Sequence, residues 1–109
     1  MNFYKTTAWK KKRPRVLKRD SYQCQECKRY GKSTEATTVH HIIPLAWCLL
    51  FNKVLALSNI NLISLCNQCH DKMHDKISNK LTNLGLSWVR RLGSLGDDWI
   101  EKYSNEGWK

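Results

Sequence analysis

The sequence predicts a small α+β domain that a four-cysteine zinc site holds together, with flanking helices. Three observations support this fold class. Two Cys-x-x-Cys pairs have the spacing of ligands for one metal ion, two short strand-like segments lie between them, and apolar residues at helical spacing follow the second pair. A chain of 109 residues can bury one modest core, and domains of this size often depend on a structural metal.

The positive charge of the chain is concentrated near its start. Residues 1–32 contain 11 of the 19 lysines and arginines but only two acidic residues, so they carry +9 of the net charge of +10. Such a block favours a surface that binds a polyanion, and the other interpretation is a solvated tail that keeps the protein soluble. No apolar run reaches the ~18 residues of a membrane span, and no apolar signal-peptide segment follows the first lysines. We therefore expect a cytoplasmic protein without a membrane segment.

Residues 1–12 are predicted to form a basic and poorly structured arm. Phe3, Tyr4 and Trp9 lie among its lysines, where aromatic rings either stack on nucleobases or dock on the rest of the domain. A short helix over residues 14–22 should follow, because its first residue is a proline, which suits a first helical turn.

In that helix Val16, Leu17 and Tyr22 are expected to face inward. The first cysteine pair then begins a knuckle over residues 24–31 that ends in a turn at Gly31.

Two strands and a helical segment are predicted between the cysteine pairs. Residues 37–43 are mostly β-branched or histidine, which favours a strand, and Pro44 should end it because proline has no N–H for the ladder. Residues 45–57 are apolar with helical spacing, residues 58–61 are typical of a turn, and residues 62–65 form a second short strand.

A long helix is predicted from Asn67 or Gln68 to about Leu84, with Gly85 ending it. The residues that define its apolar face are Met73, Ile77, Leu81 and Leu84. Farther on, Asp97 is placed to cap a last helix, which either packs on the core or forms a partner surface. The apolar residues of that helix are Trp99, Ile100 and Tyr103. These elements divide the chain into the arm, a central domain over residues 13–84 and a C-terminal helical extension over residues 85–109.

Cys24, Cys27, Cys66 and Cys69 are predicted to bind one structural zinc ion. Cysteines of a cytosolic protein stay reduced, so paired Cys-x-x-Cys spacing indicates metal binding rather than disulfides. A site closed by four thiolates has no open position for a substrate, and its metal therefore stabilises the fold. Cys48 remains outside this set and is expected to be a buried, unreactive thiol.

All four histidines lie between the cysteine pairs or directly after them. His40 and His41 are neighbours on the predicted strand and should point to opposite faces unless the strand bulges, whereas His70 and His74 would share one face of the predicted helix. A strand histidine and a helix histidine on facing elements can bind a divalent metal between them. Each histidine taken alone would more often be a satisfied core or surface residue, but their concentration beside a zinc site favours catalysis.

Four segments resemble the HNH endonucleases of the ββα-metal, or His-Me finger, class: CQEC at 24–27, VHHIIP at 39–44, NINLISLC at 59–66 and CHDKMH at 69–74. The order of these segments is far more specific than any one of them. The resemblance implies a ββα-metal finger, in which a β-hairpin packs on a helix with zinc at the base. It also implies metal-dependent hydrolysis of DNA that leaves a 5′-phosphate and a 3′-hydroxyl.

The resemblance assigns a role to each histidine. His41 would be the general base that takes a proton from water, poised by an ordinary pKa of about 6.5. His40 and His70 would bind the catalytic metal, and His74 would be either a third ligand or a phosphate contact. Asn61 would fix the backbone or the ring of His41.

Many members of this family carry aspartate where this chain has His40. An imidazole is a softer and less charged ligand than a carboxylate, so the expected catalytic metal is Mn²⁺, Ni²⁺, Co²⁺ or Zn²⁺ in preference to Mg²⁺. Asn59 is the less favoured alternative to Asn61, and its other role would be that of a turn residue.

The substrate implied by the resemblance is DNA, bound through phosphate contacts that carry little sequence specificity. The candidate phosphate-binding residues all belong to the basic N-terminal part: Lys10, Lys11, Lys12, Arg13, Arg15, Lys18 and Arg19. Small free-standing members of the family are frequently phage-encoded and work with the terminase large subunit in DNA packaging. Terminase is therefore an expected partner, and the host cytoplasm is the expected location.

Two other functions share part of this pattern. A non-catalytic zinc-containing DNA-binding module would explain the cysteines and the basic residues, but it has no need of His40, His41, Asn61 and His70 in that order. A toxin-like or homing nuclease shares the motif, but it would need delivery or sequence-reading domains for which 109 residues leave little room.

Overall fold

The computed structural model describes residues 2–108, so Met1 of the predicted arm and Lys109 of the predicted extension lie outside the described residues. A two-stranded antiparallel hairpin forms the sheet, and helices pack around it. The helices and strands are, in chain order, α1 (Thr7–Arg19), α2 (Gln25–Arg29), β1 (Thr38–His41), α3 (Leu45–Phe51), β2 (Leu62–Leu65), α4 (Asn67–Asp71), α5 (Asn83–Arg90) and α6 (Ser94–Tyr103). Short 3-10 turns are formed by Phe3–Lys5, Lys53–Leu57 and Asn59–Asn61. The hairpin, the helices and a cluster of four cysteines confirm the predicted α+β fold class.

The helices within residues 2–108 are all too short or too polar to span a bilayer.

The hairpin lies in the core of the molecule. β1 and β2 pair so that His40 is opposite Ile63 and His41 is opposite Leu62. All of β2 and the last three residues of β1 are buried. β2 has the predicted bounds, whereas β1 ends at His41, before the predicted end of its strand, and Pro44 forms the N-cap of α3.

Helix α1 is fixed to the hairpin by its C-terminal end. The Asp20 carboxylate accepts a hydrogen bond from the Ser64 N–H at 2.9 Å. The Arg19 guanidinium donates to the carbonyl oxygens of Asn59 at 2.8 Å and Leu62 at 2.6 Å. Three connections thus join one end of α1 to β2 and to the turn before it.

The prediction that residues 1–12 are poorly structured is wrong. Helix α1 begins at Thr7, and the Thr6 hydroxyl caps it by accepting a hydrogen bond from the Trp9 N–H. Pro14 therefore lies inside this helix rather than in its first turn. Trp9 is buried in a cluster with Val39 and Leu62 of the hairpin, and this burial stabilises the earlier start of the helix.

The end of this first helix also differs from the prediction. Val16 and Leu17 are buried as expected, but Tyr22 is 54% exposed. Ser21 and Tyr22 both have positive φ angles and form a turn, which carries the Tyr22 side chain away from the core.

The long helix predicted over residues 67–84 does not form. Helix α4 ends at Asp71, and the chain continues as a loop closed by a bridge between His74 and Leu81. In that loop the Asp75 carboxylate accepts from the N–H and the hydroxyl of Ser78, each at 2.8 Å. Such local side-chain bonds compete with helix formation, and Ile77 of the supposed apolar face is 95% exposed.

The two C-terminal helices begin differently from the predicted pattern. Gly85 does not end a helix but lies buried within α5, where a Cβ atom would come within 2.5 Å of the Met73 carbonyl oxygen. Helix α6 is preceded by Gly93 at its N-cap, and Asp97 lies in its first turn. Trp99 is buried in the larger hydrophobic cluster, so this helix packs on the core.

Candidate active site

All four histidines of the chain line one cavity of about 600 Å³. β1 supplies His40 and His41, α4 supplies His70, and the loop after α4 supplies His74. The rest of the lining includes Tyr4, Trp9, Arg13, Asp71, Asp75 and Lys76. The structure thus brings together the histidines that the sequence singled out, although His74 reaches the cavity from a loop and not from a helix.

His40 is the most deeply buried of the four. It is 2% exposed, and within residues 2–108 its Nε2 atom has no hydrogen-bond partner. Its ring centroid lies 5.3 Å from that of His70 and 6.1 Å from that of His74. A buried nitrogen without a partner is costly unless something binds it, so His40 with the nearby His70 fits the binding of a metal ion.

The environment of His40 and His70 keeps their imidazoles neutral. Burial, followed by the neighbouring His70 and His74, holds the pKa of His40 well below its ordinary value. Burial also lowers the pKa of His70. The neutral ring is the form in which histidine binds a metal.

His41 lines the same cavity as His40 but has different ring contacts. Its Nε2 atom lies 2.9 Å from the carbonyl oxygen of Ala56. Since a carbonyl can only accept, Nε2 carries the proton, and Nδ1 is the ring atom that can take up another. Burial lowers the pKa of His41 to about 4, although the Ala56 hydrogen bond acts in the opposite direction. The ring is therefore a neutral base at pH 7, and the expected ordinary pKa is wrong.

Sequence reasoning missed the contact between the N-terminal aromatic residues and His41. Trp9 stacks on the imidazole with ring centroids 5.2 Å apart and an interplanar angle of 25°. Phe3 and Tyr4 meet the same ring edge-on at 5.6 Å and 6.4 Å. Trp9 is 5% exposed and so docks on the domain, whereas Tyr4 remains 50% exposed. The capping residue Thr6 was the signal that could have placed Trp9 in an ordered helix.

Asn61 is fully buried and joins two segments that position His41. Its Oδ1 accepts from the Ile43 N–H at 2.7 Å, and its Nδ2 donates to the carbonyl oxygens of Ile43 at 3.1 Å and Leu55 at 3.3 Å. Ile43 follows His41 by two residues, and Leu55 precedes Ala56, whose carbonyl holds the imidazole. Asn61 thus acts on His41 through the backbone on both sides and not through a bond to the ring.

The four paired cysteines form a compact cluster. The Sγ atom of Cys27 lies 3.9 Å from that of Cys66 and 3.7 Å from that of Cys69, and the ligand atoms of all four, including Cys24, lie within 4.8 Å of one another. Tetrahedral zinc with Zn–S bonds of about 2.3 Å needs sulfur atoms about 3.8 Å apart, so the cluster fits zinc. Within residues 2–108, His40, His70 and His74 do not bring three ligand atoms within the same 4.8 Å limit.

The fifth cysteine takes no part in this cluster. Cys48 is fully buried, and burial raises the pKa of its thiol to about 12. It is therefore an unreactive core residue, as expected.

The predicted phosphate-binding residues all lie on α1. Arg13 is the one that lines the cavity, and it donates to the Thr37 carbonyl oxygen at 2.9 Å. Arg19 already bonds to Asp20 and to two backbone carbonyls, so its guanidinium serves the fold. Lys76, which sequence reasoning did not single out, also lines the cavity.

Comparisons with known proteins agree with this geometry. The family model described as HNH endonuclease matches residues 24–76. A probable HNH endonuclease of Lactococcus phage SK1 is 34% identical over 70 residues, which span 64% of this chain and 72% of that protein. The HNH endonuclease of the deep-sea thermophilic bacteriophage GVE2, whose crystal structure was determined with manganese ion, is 40% identical in sequence to this chain. It matches with a TM-score of 0.56 over 63% of this chain and 71% of that one. The family match begins at Cys24, so α1 and the aromatic residues around His41 lie outside it.

Proposed function

Since the chain belongs to the HNH endonuclease family and is a nuclease, we propose that it cuts DNA by metal-dependent hydrolysis, with His41 as the general base. One observation carries this proposal. His41, held as a neutral Nε2–H imidazole by Ala56, lines the same cavity as the unpartnered nitrogen of His40. A module that only bound DNA would have no use for this arrangement.

We assign the catalytic metal to His40 and His70, with His74 as either a third ligand or a phosphate contact. When bound, a divalent metal supplies Lewis-acid stabilisation of the scissile phosphate and of the leaving 3′ oxygen. Imidazole donors favour Mn²⁺, Ni²⁺, Co²⁺ or Zn²⁺ over Mg²⁺. The manganese ion in the phage GVE2 structure supports a metal of this kind. The structural zinc belongs to the separate cluster of four cysteines.

His41 acts on the attacking water. Its Nδ1 atom accepts a proton from the water as the water oxygen attacks phosphorus, and the bond from phosphorus to the 3′ oxygen breaks. The 3′ oxygen leaves with the bonding electron pair and takes a proton from solvent water, so the products are a 5′-phosphate and a 3′-hydroxyl. A pKa of about 4 describes the ring without substrate. The negative charge of a bound phosphate favours the protonated ring and therefore increases its proton affinity during the reaction.

The substrate is held by the positive charge of α1. Lys10, Lys11, Arg15 and Lys18 are exposed on this helix, and Arg13 reaches the cavity itself. Contacts of this kind bind phosphates regardless of base sequence and weaken as salt is added. We therefore propose low intrinsic sequence specificity.

The phage origin of both similar proteins supports a role in phage DNA metabolism. We propose that the chain acts beside the terminase large subunit during DNA packaging, in the cytoplasm of the host.

Cleavage of supercoiled plasmid tests the proposed chemistry. The purified protein is assayed in EDTA and then with Mg²⁺, Mn²⁺, Ni²⁺ and Zn²⁺, beside a His41→Ala variant whose zinc content is shown to be unchanged. We expect metal-dependent nicking or linearisation that falls by about 10²-fold or more in the variant, since that is the usual contribution of a general base. If both proteins only retard the plasmid without cutting it in any metal, the proposed reaction is wrong.

A further inference from the structure

The general base has a stacked partner outside the family-matched residues. Trp9 lies on α1, and its ring is stacked on that of His41 at 5.2 Å with 25° between the planes. Most aromatic neighbours in this protein meet edge-on or tilted, as Phe3 and Tyr4 do against His41. A nearly parallel ring covers one face of the imidazole and limits its rotation in a way that edge contacts do not.

Trp9 is itself held rigidly. It is 5% exposed and belongs to a buried cluster with Val16, Leu17 and Val39. On the side of the N-terminal turn, its ring centroid lies 5.4 Å from that of Phe3 and 5.6 Å from that of Tyr4. A side chain enclosed in this way has one orientation, so it can impose one on the ring that it touches.

The hydrogen bond to Ala56 does not by itself orient His41. It fixes Nε2 at 2.9 Å from the carbonyl oxygen but leaves the ring free to tilt about that bond. A tilt moves Nδ1, the atom that must meet the attacking water. Catalytic groups displaced by about 1 Å can lose about 10²-fold in rate, so a second restraint on the ring plane matters for catalysis.

We propose that Trp9 is a positioning residue for His41, fixing the plane of the imidazole so that Nδ1 is aimed at the attacking water. This inference rests on the proposed role of His41 as base. It assigns a part of the active site to the N-terminal helix, which lies outside the residues that match the HNH endonuclease family.

Two substitutions distinguish the effect of a flat aromatic ring on His41 from the effect of an apolar side chain of any shape. Trp9→Phe keeps an aromatic face against His41, whereas Trp9→Leu keeps only an apolar side chain. Below the melting temperature of each variant, we expect Trp9→Phe to retain kcat within about threefold. Trp9→Leu should lose at least about tenfold in kcat while KM for DNA changes less than about threefold, because a misplaced base slows the chemical step and leaves binding intact.

The matched control is Leu17→Ala, which weakens the same buried cluster without removing a ring from His41. We expect its kcat to stay near that of the parent protein. An equal loss of kcat in Leu17→Ala, an unchanged kcat in Trp9→Leu, or a change confined to KM would each overturn the inference.

An imidazole spectrum gives a readout that does not depend on cleavage. Long-range proton–nitrogen correlation of the protein with its structural zinc should show His41 as the Nε2–H tautomer in the parent and in Trp9→Phe. In Trp9→Leu we expect exchange-broadened His41 signals, and sharp parent-like signals would contradict the inference. If the parent protein cuts no DNA, the proposed function fails, while these spectra still decide whether Trp9 orders His41.

Discussion

Replacing Asn61 with alanine should remove a large part of the stability of this domain. Asn61 is fully buried and bonds to the Ile43 N–H, the Ile43 carbonyl and the Leu55 carbonyl. A buried polar group left without a partner costs about 1–3 kcal/mol. The Ile43 carbonyl would keep a weak bond from the Cys48 thiol at 3.5 Å, and the Leu55 carbonyl would keep the Ser58 N–H at 3.2 Å, so only the Ile43 N–H is fully orphaned. Each of the two carbonyls would still lose one hydrogen bond, which contributes about 0.5–1.5 kcal/mol. The expected loss is therefore roughly 3 kcal/mol, against the 5–15 kcal/mol that typically stabilises a domain.

Thermal unfolding in the presence of zinc measures this loss. A change of 1 kcal/mol moves the melting temperature of a domain of this size by about 4–8 °C, so Asn61→Ala should melt about 10–20 °C below the parent. The matched control is Asn59→Ala, whose side chain is exposed and whose replacement should change stability by less than about 0.5 kcal/mol. A melting temperature within about 4 °C of the parent for Asn61→Ala would refute the reasoning.

The same variant also distinguishes positioning from DNA contact. Asn61 holds the backbone beside His41 and beside Ala56, and it is not among the residues that line the cavity. Below its melting temperature we expect a lower kcat with little change in KM. A weaker affinity for DNA at unchanged kcat would show that Asn61 belongs to the binding surface instead.

Three further outcomes follow from the sites. Cys69→Ser should lose the bound zinc and most of the helical circular dichroism signal. The control Cys48→Ser should keep its zinc. One zinc ion retained per chain in Cys69→Ser would contradict the four-thiolate assignment. His40→Asp should shift the ratio of Mg²⁺-supported to Mn²⁺-supported plasmid cleavage at least about threefold toward Mg²⁺, because a carboxylate is a harder ligand than an imidazole. An unchanged ratio would contradict the assignment of His40 as a metal ligand. In plasmid binding, Arg13→Ala should reduce the slope of log affinity against log salt concentration by about 1. The control is Lys28→Ala on α2. An equal change of slope in that variant would show that only the total charge matters and not the position of Arg13.

Local patterns in the sequence were sufficient for the hairpin and the zinc site. Residues 62–65 form a strand with the predicted bounds, and Gly31 has the positive φ of a turn. The four cysteines meet because two short knuckles need only the hairpin between them to bring them together. Each of these features depends on residues near one another in sequence or on one simple pairing.

The helix predicted after the second strand shows where periodicity fails. Met73 and Leu81 are both buried in the core, but they do not lie on one face of a helix. The loop closed by the bridge between His74 and Leu81 places them there instead. Ile77 matched the spacing of the predicted helix face only by coincidence, and its side chain is 95% exposed. The bonds from Ser78 to Asp75, which reverse the chain, are specified by two polar residues that a search for apolar spacing ignores.

Local sequence patterns could not predict the contacts of His41, because these contacts depend on the folded chain. The contacts of Trp9 with His41 and of Asn61 with Ile43 join residues far apart in sequence. Spacing can identify a histidine as a candidate base, but its tautomer and its lowered pKa depend on the Ala56 carbonyl and on burial, which only the folded chain defines.

The four-cysteine cluster and the histidine-lined cavity are connected through α4. This helix has five residues and is too short to be stable alone. It contains Cys69, a member of the zinc cluster, directly before His70, which lines the cavity. Zinc binding therefore fixes the backbone that presents His70 toward His40. Because the two sites share this one element, loss of zinc should disorder His70 even where the hairpin that carries His40 and His41 survives.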